Sequence, residues 1–119
     1  MARILLVLPN QDQRQAWVRI LSEGGHATCQ STSAGDAQAR MATDQFDLLM
    51  LDPDLPDRNG FSFLSELRAA RTAPKVVVIN RHARVATTLK AKGLGADGII
   101  TMPFTRSEFF TTIDDAIAV

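Results

Sequence analysis

Cysteine is nearly absent from this chain. Cys29 stands alone among 119 residues, so no internal disulfide can form. A lone thiol fits a reducing, cytoplasmic compartment better than an oxidising one. Tyrosine is missing and tryptophan occurs once, so large rings for stacking a flat cofactor are scarce. An excess of either charge is missing too, since thirteen basic and thirteen acidic residues cancel. That balance gives no electrostatic reason to bind nucleic acid or an anionic membrane. No apolar run approaches the roughly 18 residues that a membrane span needs. The opening MARILLVLPN is too short for a signal peptide and stops at Pro9, so it reads as a strand. Repeats, linkers and low-complexity segments are also lacking. Residues 1–119 therefore read as one domain, of a size that buries an ordinary core.

What is present is alternation. RILLVL (3–8) is a continuous apolar run, the pattern of a strand covered on both faces. A helix follows over NQDQRQAWVRILSEGG, with Asn10 as its cap, Trp17, Ile20 and Leu21 at helical spacing, and Gly24-Gly25 as its stop. HATCQS (26–31) is a weaker strand. SAGDAQARMA is a short helix with Ser33 and Asp36 at capping-box spacing. DLLML (47–51) is a third strand, and GFSFLSELRAAR (60–71) a helix with Phe61, Leu64 and Leu67 on one face. VVVIN (76–80) is the purest β-branched run. RVATTLKAKG, then GIIT (98–101), then TRSEFFTTIDDAIAV give a helix, a strand and a helix, and Thr105 and Glu108 form a second capping box.

Five strands each followed by a helix predict a three-layer α/β sandwich: a parallel five-stranded sheet flanked by five helices. The flavodoxin-like order 2-1-3-4-5 is the common solution at this length. Function in such folds lies beyond the carboxyl ends of the strands. Those ends are 8–10, 52–54, 80–82 and 102–103. One of them is peculiar. In LLMLDPDLPDRNGF, four apolar residues stop abruptly at Asp52, which puts a carboxylate at the tip of a buried strand.

The segments RILLV, FDLLMLDPDLPDRNGF, APKVVVIN and GLGADGIITMPF, in this order and spacing, resemble the receiver domain of bacterial response regulators over essentially the whole chain. The resemblance implies a phosphotransfer site in a two-component phosphorelay, with Asp52 at the phosphoacceptor position. It places Asp54 where the family binds magnesium through a backbone carbonyl. The other positions depart from the pattern. The family's paired acids at the end of the first strand fall on Leu8 and Pro9, followed by Asn10. Its hydroxyl residue falls on Asn80, its switch aromatic on Ile99 and its lysine on Met102, before Pro103. The resemblance also implies a cis peptide between Met102 and Pro103.

Magnesium is a hard cation that wants oxygen ligands, and Leu8 offers none. Phosphoryl transfer needs cations around the transferred group. The expected reading is thus an atypical receiver without enzyme activity or cofactor, working as a phosphorylation-independent interaction module. Leu8 and Met102 are expected to cap the pocket partly. The alternative is a competent receiver that takes a phosphoryl group on Asp52 from a histidine kinase, with magnesium. A further alternative is a small-molecule-binding flavodoxin-like domain, against which stand LPNQDQ in place of a glycine-rich phosphate loop and the scarcity of rings. Asp12 reads as a first-turn acid, and Arg81, His82 and Arg84 as a short basic cluster. The resemblance implies protein partners, a kinase, an output domain or a second copy, on a face carrying Arg84, Lys90, Lys92, Arg106 and Phe110.

Overall fold

The computed structural model describes residues 2–70 and 74–118. Its elements are β1 (Arg3–Val7), α1 (Gln11–Glu23), β2 (Ala27–Ser31), α2 (Ala34–Thr43), β3 (Leu48–Leu51), α3 (Gly60–Ala70), β4 (Lys75–Asn80), α4 (Val85–Gly93), β5 (Gly98–Thr101) and α5 (Arg106–Ile117). The five strands form one parallel sheet in the order β2-β1-β3-β4-β5. Each strand and helix falls within a residue or two of its expected place. The expectations for Arg71 and Val119 lie outside the described residues.

The parity of β1 divides the core. Ile4, Leu6 and Leu8 pack with Trp17 and Leu21 of α1 and Phe109 and Ile113 of α5. Leu5 and Val7 pack on the opposite face with Ala37 of α2, Phe63, Leu64 and Leu67 of α3, and Ala91 of α4. Successive strand residues point to opposite faces, so Leu8 continues the α1/α5 side rather than the side of its neighbour Val7.

The caps account for most helix starts. Asn10 Oδ1 accepts from the Gln13 N–H at 2.9 Å. Thr105 and Glu108 close a reciprocal box at 3.1 and 3.0 Å. The box at α2 closes only halfway. Ser33 Oγ accepts from the Asp36 N–H at 3.1 Å, but the Asp36 carboxylate turns to Arg40 at the same distance. Aspartate is one methylene shorter than the glutamate that reaches back in a full box. Asp57 caps α2 from another loop, its two oxygens accepting from the Ala34 and Gly35 N–H groups at 3.0 and 2.9 Å. Those N–H groups hold its carboxyl below the usual value.

One expectation about a buried face changes. The buried stripe of α3 is Phe63, Leu64 and Leu67, and Phe61 is only half-buried. Phe61 sits in the first turn, where the helix has just left the sheet edge. α4 buries only Ala91 and leaves Val85 and Leu89 exposed at 73% and 66%. The Met102–Pro103 peptide is cis, as expected.

Candidate functional site

Asp52 directly follows β3 at the carboxyl edge of the sheet. Its N–H still donates to Val7 O at 3.0 Å, so the β1–β3 ladder fixes its backbone. Its side chain is 1% exposed. Oδ1 accepts from the Asp54 N–H at 2.9 Å, which closes a local turn through Pro53. Oδ2 lies 2.9 Å from Nε of Arg81. The Arg81 Nε–H is not aimed at that oxygen, so the contact is an ion pair and Oδ2 makes no well-formed hydrogen bond. The same guanidinium reaches Asp54 Oδ2 through Nη2 at 3.3 Å. One arginine therefore spans both carboxylates.

Burial pushes the Asp52 carboxyl above its usual value, while the Asp54 N–H and the Arg81 charge pull it back without cancelling that effect. An acid whose folded value is raised contributes most stability below its unfolded value, near 3.8, and loses it as pH rises through the folded value. Ionising Asp52 is thus a cost to the fold. Asp52→Asn imitates the protonated acid and is expected to stabilise the protein at pH 7, within the about 0.5–2 kcal/mol typical of relieving a strained functional position. Thermal melts at pH 7 and below pH 4 check this. The gain of the variant over the unsubstituted chain is expected to shrink at acid pH.

Asn80 ends β4 and is buried. Its amide is spent on the loop it precedes. Nδ2 donates to Arg84 O at 2.9 Å and to Thr88 Oγ1 at 3.1 Å, and Oδ1 accepts from the Arg84 N–H at 3.1 Å. Arg84, the cap residue of α4, makes no side-chain cap bond, and its own N–H is the one that Asn80 Oδ1 takes up. Between them Ala83 sits at φ 51°, a left-handed conformation uncommon for a residue with a Cβ. Strain of this kind persists where surrounding contacts over-determine it.

A cleft of about 110 Å³ opens at Asp52, between the loop after β3 and the loop after β4. Its walls include Pro53, Asp54, Phe61, Arg81, His82 and Arg84. Leu8 and Met102 do not line it. They pack in the α1/α5 side of the core with Trp17 and Phe109, and the wall of the cleft over the acid is Arg81. Val7 pairs with Leu51 in the parallel ladder, so Leu8 follows on the strand end beside Asp52. Beside it, the Arg14 guanidinium takes the carbonyls of Leu8 and Pro9 at 2.9 and 2.8 Å. Asn10 is committed to capping α1, Asp12 lies in that helix's first turn, and Ile99 packs against the α2–α4 side of the core. Among the described residues no three His, Cys, Asp or Glu side chains gather as a metal site would require.

The residues expected on one partner face are spread over two helices and are partly engaged. Arg106 pairs with Glu23 at 2.6 Å and lies over the Phe110 ring. Phe110 is half-buried, stacked against His26 and pressed on Gly24, where an added Cβ would come within 2.3 Å of its ring. Lys90 sits over the Phe61 ring, 4.9 Å from its centre. Arg84 and Lys92 are exposed on α4 beside Val85 and Leu89. The apolar pair had no signal in the sequence, since a valine and a leucine four residues apart do not say which way a short helix faces. Phe61 was expected on the inner face of α3 with Leu64 and Leu67, which hid its place at the cleft.

The comparisons with known proteins agree on the kind of domain. Residues 4–114 match the response regulator receiver domain family. The chain is 31% identical over 116 residues to the transcriptional regulatory protein KdpE of Mycobacterium tuberculosis, covering 96% of this chain and 50% of that protein. It spans about half the length of the first curated relatives it matches. The crystal structure of NtrX from Brucella abortus superposes with a TM-score of 0.89 at 29% identity, over 98% of this chain and 26% of that one. A CheY-like receiver domain protein from Methanospirillum hungatei shares the fold, with a TM-score of 0.86 at 23% identity over 98% of this chain and 94% of that one.

Proposed function

The chain belongs to the response regulator receiver family, whose domains act in two-component signalling rather than as enzymes, and from that premise we propose a phosphorylation-independent interaction module. The observation that carries this reading is the Arg81 guanidinium set against both Asp52 and Asp54. Magnesium, which the family's chemistry calls for, fits this donor set poorly. It takes oxygen ligands in a near-ideal octahedron. Leu8 has no side-chain oxygen, the Pro9 carbonyl already accepts from Arg14 at 2.8 Å, and both carboxylates face a cation. Met102 brings no charge in place of a lysine. Asn80, engaged three times by the loop after β4, has no free donor to turn toward a phosphoryl group.

A second reading keeps Asp52 as a working phosphoacceptor for a histidine kinase. Family membership favours it, as does the retention of a buried acid whose Oδ2 faces a cleft without a hydrogen bond. One experiment separates the two. After incubation with acetyl phosphate and magnesium, intact mass is expected to be unchanged. A stoichiometric, magnesium-dependent increase that Asp52→Ala removes selects the second reading.

In either case the working unit we propose is a single receiver domain over residues 1–119. Its partners are proteins: a kinase, an output domain or a second copy. The surface best suited to them is the outer face of α4, where Val85 and Leu89 are exposed beside Arg84 and Lys92. No helix among the described residues is long and apolar enough to cross a membrane.

A further inference from the structure

We infer that Arg81 is the resident cation of the acid site, and that by holding Asp52 and Asp54 it excludes divalent ions and pins the loop between β4 and α4. Asp52 is 1% exposed, and a carboxylate so buried needs a compensating charge. Among the described residues, Arg81 is the basic side chain paired with it, 2.9 Å from Oδ2. The planar fork of a guanidinium can meet two carboxylates at once, as Nε and Nη2 do here, whereas an ammonium is a point charge on a flexible stem. A divalent ion bound to Asp52 Oδ2 would have to lie where this guanidinium lies. The two cations are therefore alternatives for one place.

The exclusion has a structural consequence. Arg81 immediately follows Asn80, whose side chain holds the start of α4 through Arg84 and Thr88. The intervening Ala83 carries the left-handed backbone of the loop. The ion pair at one end and the amide bonds at the other fix the segment from both sides. The orientation of α4, with its exposed Val85 and Leu89, is thereby set by a permanent internal charge rather than by an ion or group added at Asp52.

The inference concerns the same acid site as the proposed function and deepens that reading, yet the two fail separately. The mass experiment asks whether Asp52 is modified, and a cation titration asks what sits beside it. Manganese chloride is titrated into the unsubstituted protein and into Arg81→Met, which keeps an unbranched stem without the charge. Broadening of the Asp54 and Asn59 backbone amide signals is followed by NMR. Arg81→Met is expected to bind manganese at this place at least about tenfold more tightly than the unsubstituted chain, a difference of ~1.4 kcal/mol. Arg81→Lys, which keeps the charge without the fork, is expected to fall between the two, and adding Asp52→Asn to Arg81→Met is expected to remove the gain. Equal affinity with and without Arg81, or no binding to a folded Arg81→Met, overturns the inference. Should Arg81→Met fail to fold, the Arg81 Nε–H signal of the unsubstituted protein decides. A resolved signal that moves in Asp52→Asn supports the assignment, and one that resembles a freely solvated arginine refutes it.

Discussion

Leu8→Asp is expected to lower stability by about 4 kcal/mol or more, the scale of an uncompensated buried charge, and to bind no metal. The family pattern places an acid here, so the change would seem to restore a ligand. The packing says otherwise. Leu8 is 0% exposed and lies among Leu6, Trp17, Met102 and Phe109. A carboxylate there replaces apolar packing and stands beside the Asp52 carboxylate at the strand ends, and the nearby Arg14 guanidinium is already bonded to the Leu8 and Pro9 carbonyls and to Gln30. Leu8→Ala serves as the control, since it removes packing without adding charge and is expected to cost about 2–5 kcal/mol. Urea unfolding of the two variants separates the charge from the cavity, and against a total of about 5–15 kcal/mol either change is easily read. A Leu8→Asp protein as stable as the unsubstituted chain, and saturable by magnesium, would mean that the first strand end is still a ligand position.

On the proposed reading, the end of β1 is filled with apolar atoms that the core uses, and the acid at the end of β3 is faced by an arginine. An ionised Asp52 in so dry a place needs a counter-charge, and the Arg81 guanidinium supplies it. Asn80 completes the arrangement by binding the loop that carries Arg81.

The architecture was legible because it rests on patterns that repeat. The run of residues 4–7 has no polar interruption, which only a strand covered on both faces tolerates. Thr105 and Glu108 announce the start of α5 through two bonds that need no tertiary partner. The site was legible in part. The strand-tip position of Asp52 follows from four apolar residues and a Pro-rich turn. Its partner does not follow, because Arg81 is 29 residues away and a short basic loop is usually solvated. Only the pairing of β3 with β4 brings the two together. The same holds for Asp57, whose helix-capping role spans 22 and 23 residues and has no local signature. The internal engagement of the basic face around Phe110 was hidden for a related reason. Arg106 finds Glu23, 83 residues earlier, once α5 lies against α1. Sequence spacing predicts contacts within an element well and contacts between elements only where topology already fixes the neighbours.

Gly60 is where the fold and the acid site depend on one atom's worth of space. Gly60→Ala is expected to cost about 3 kcal/mol, near the upper end for overpacking a rigid contact. The first residue of α3 passes directly under the turn that follows Asp52. A Cβ on Gly60 would lie 2.5 Å from Pro53 Cα and 2.9 Å from both Asp52 O and Pro53 O. These are backbone atoms, so no side chain can swing aside. The helix cannot retreat either, because Phe63 and Leu64, just along it, are 0% exposed against the sheet. The turn must therefore yield. It is held by the Gly60 N–H to Pro53 O bond at 2.9 Å and the Asp54–Asn59 bridge, and it carries the Asp54 N–H that bonds Asp52 Oδ1. Displacing it loosens both carboxylates from Arg81. Hydrogen exchange at the Asp54 amide is expected to accelerate by more than at Val77 in the sheet, and the thermal midpoint to fall. If Gly60→Ala melts with the unsubstituted protein and the Asp54 amide stays protected, the turn after β3 is not the rigid seat of the acid that this geometry makes it.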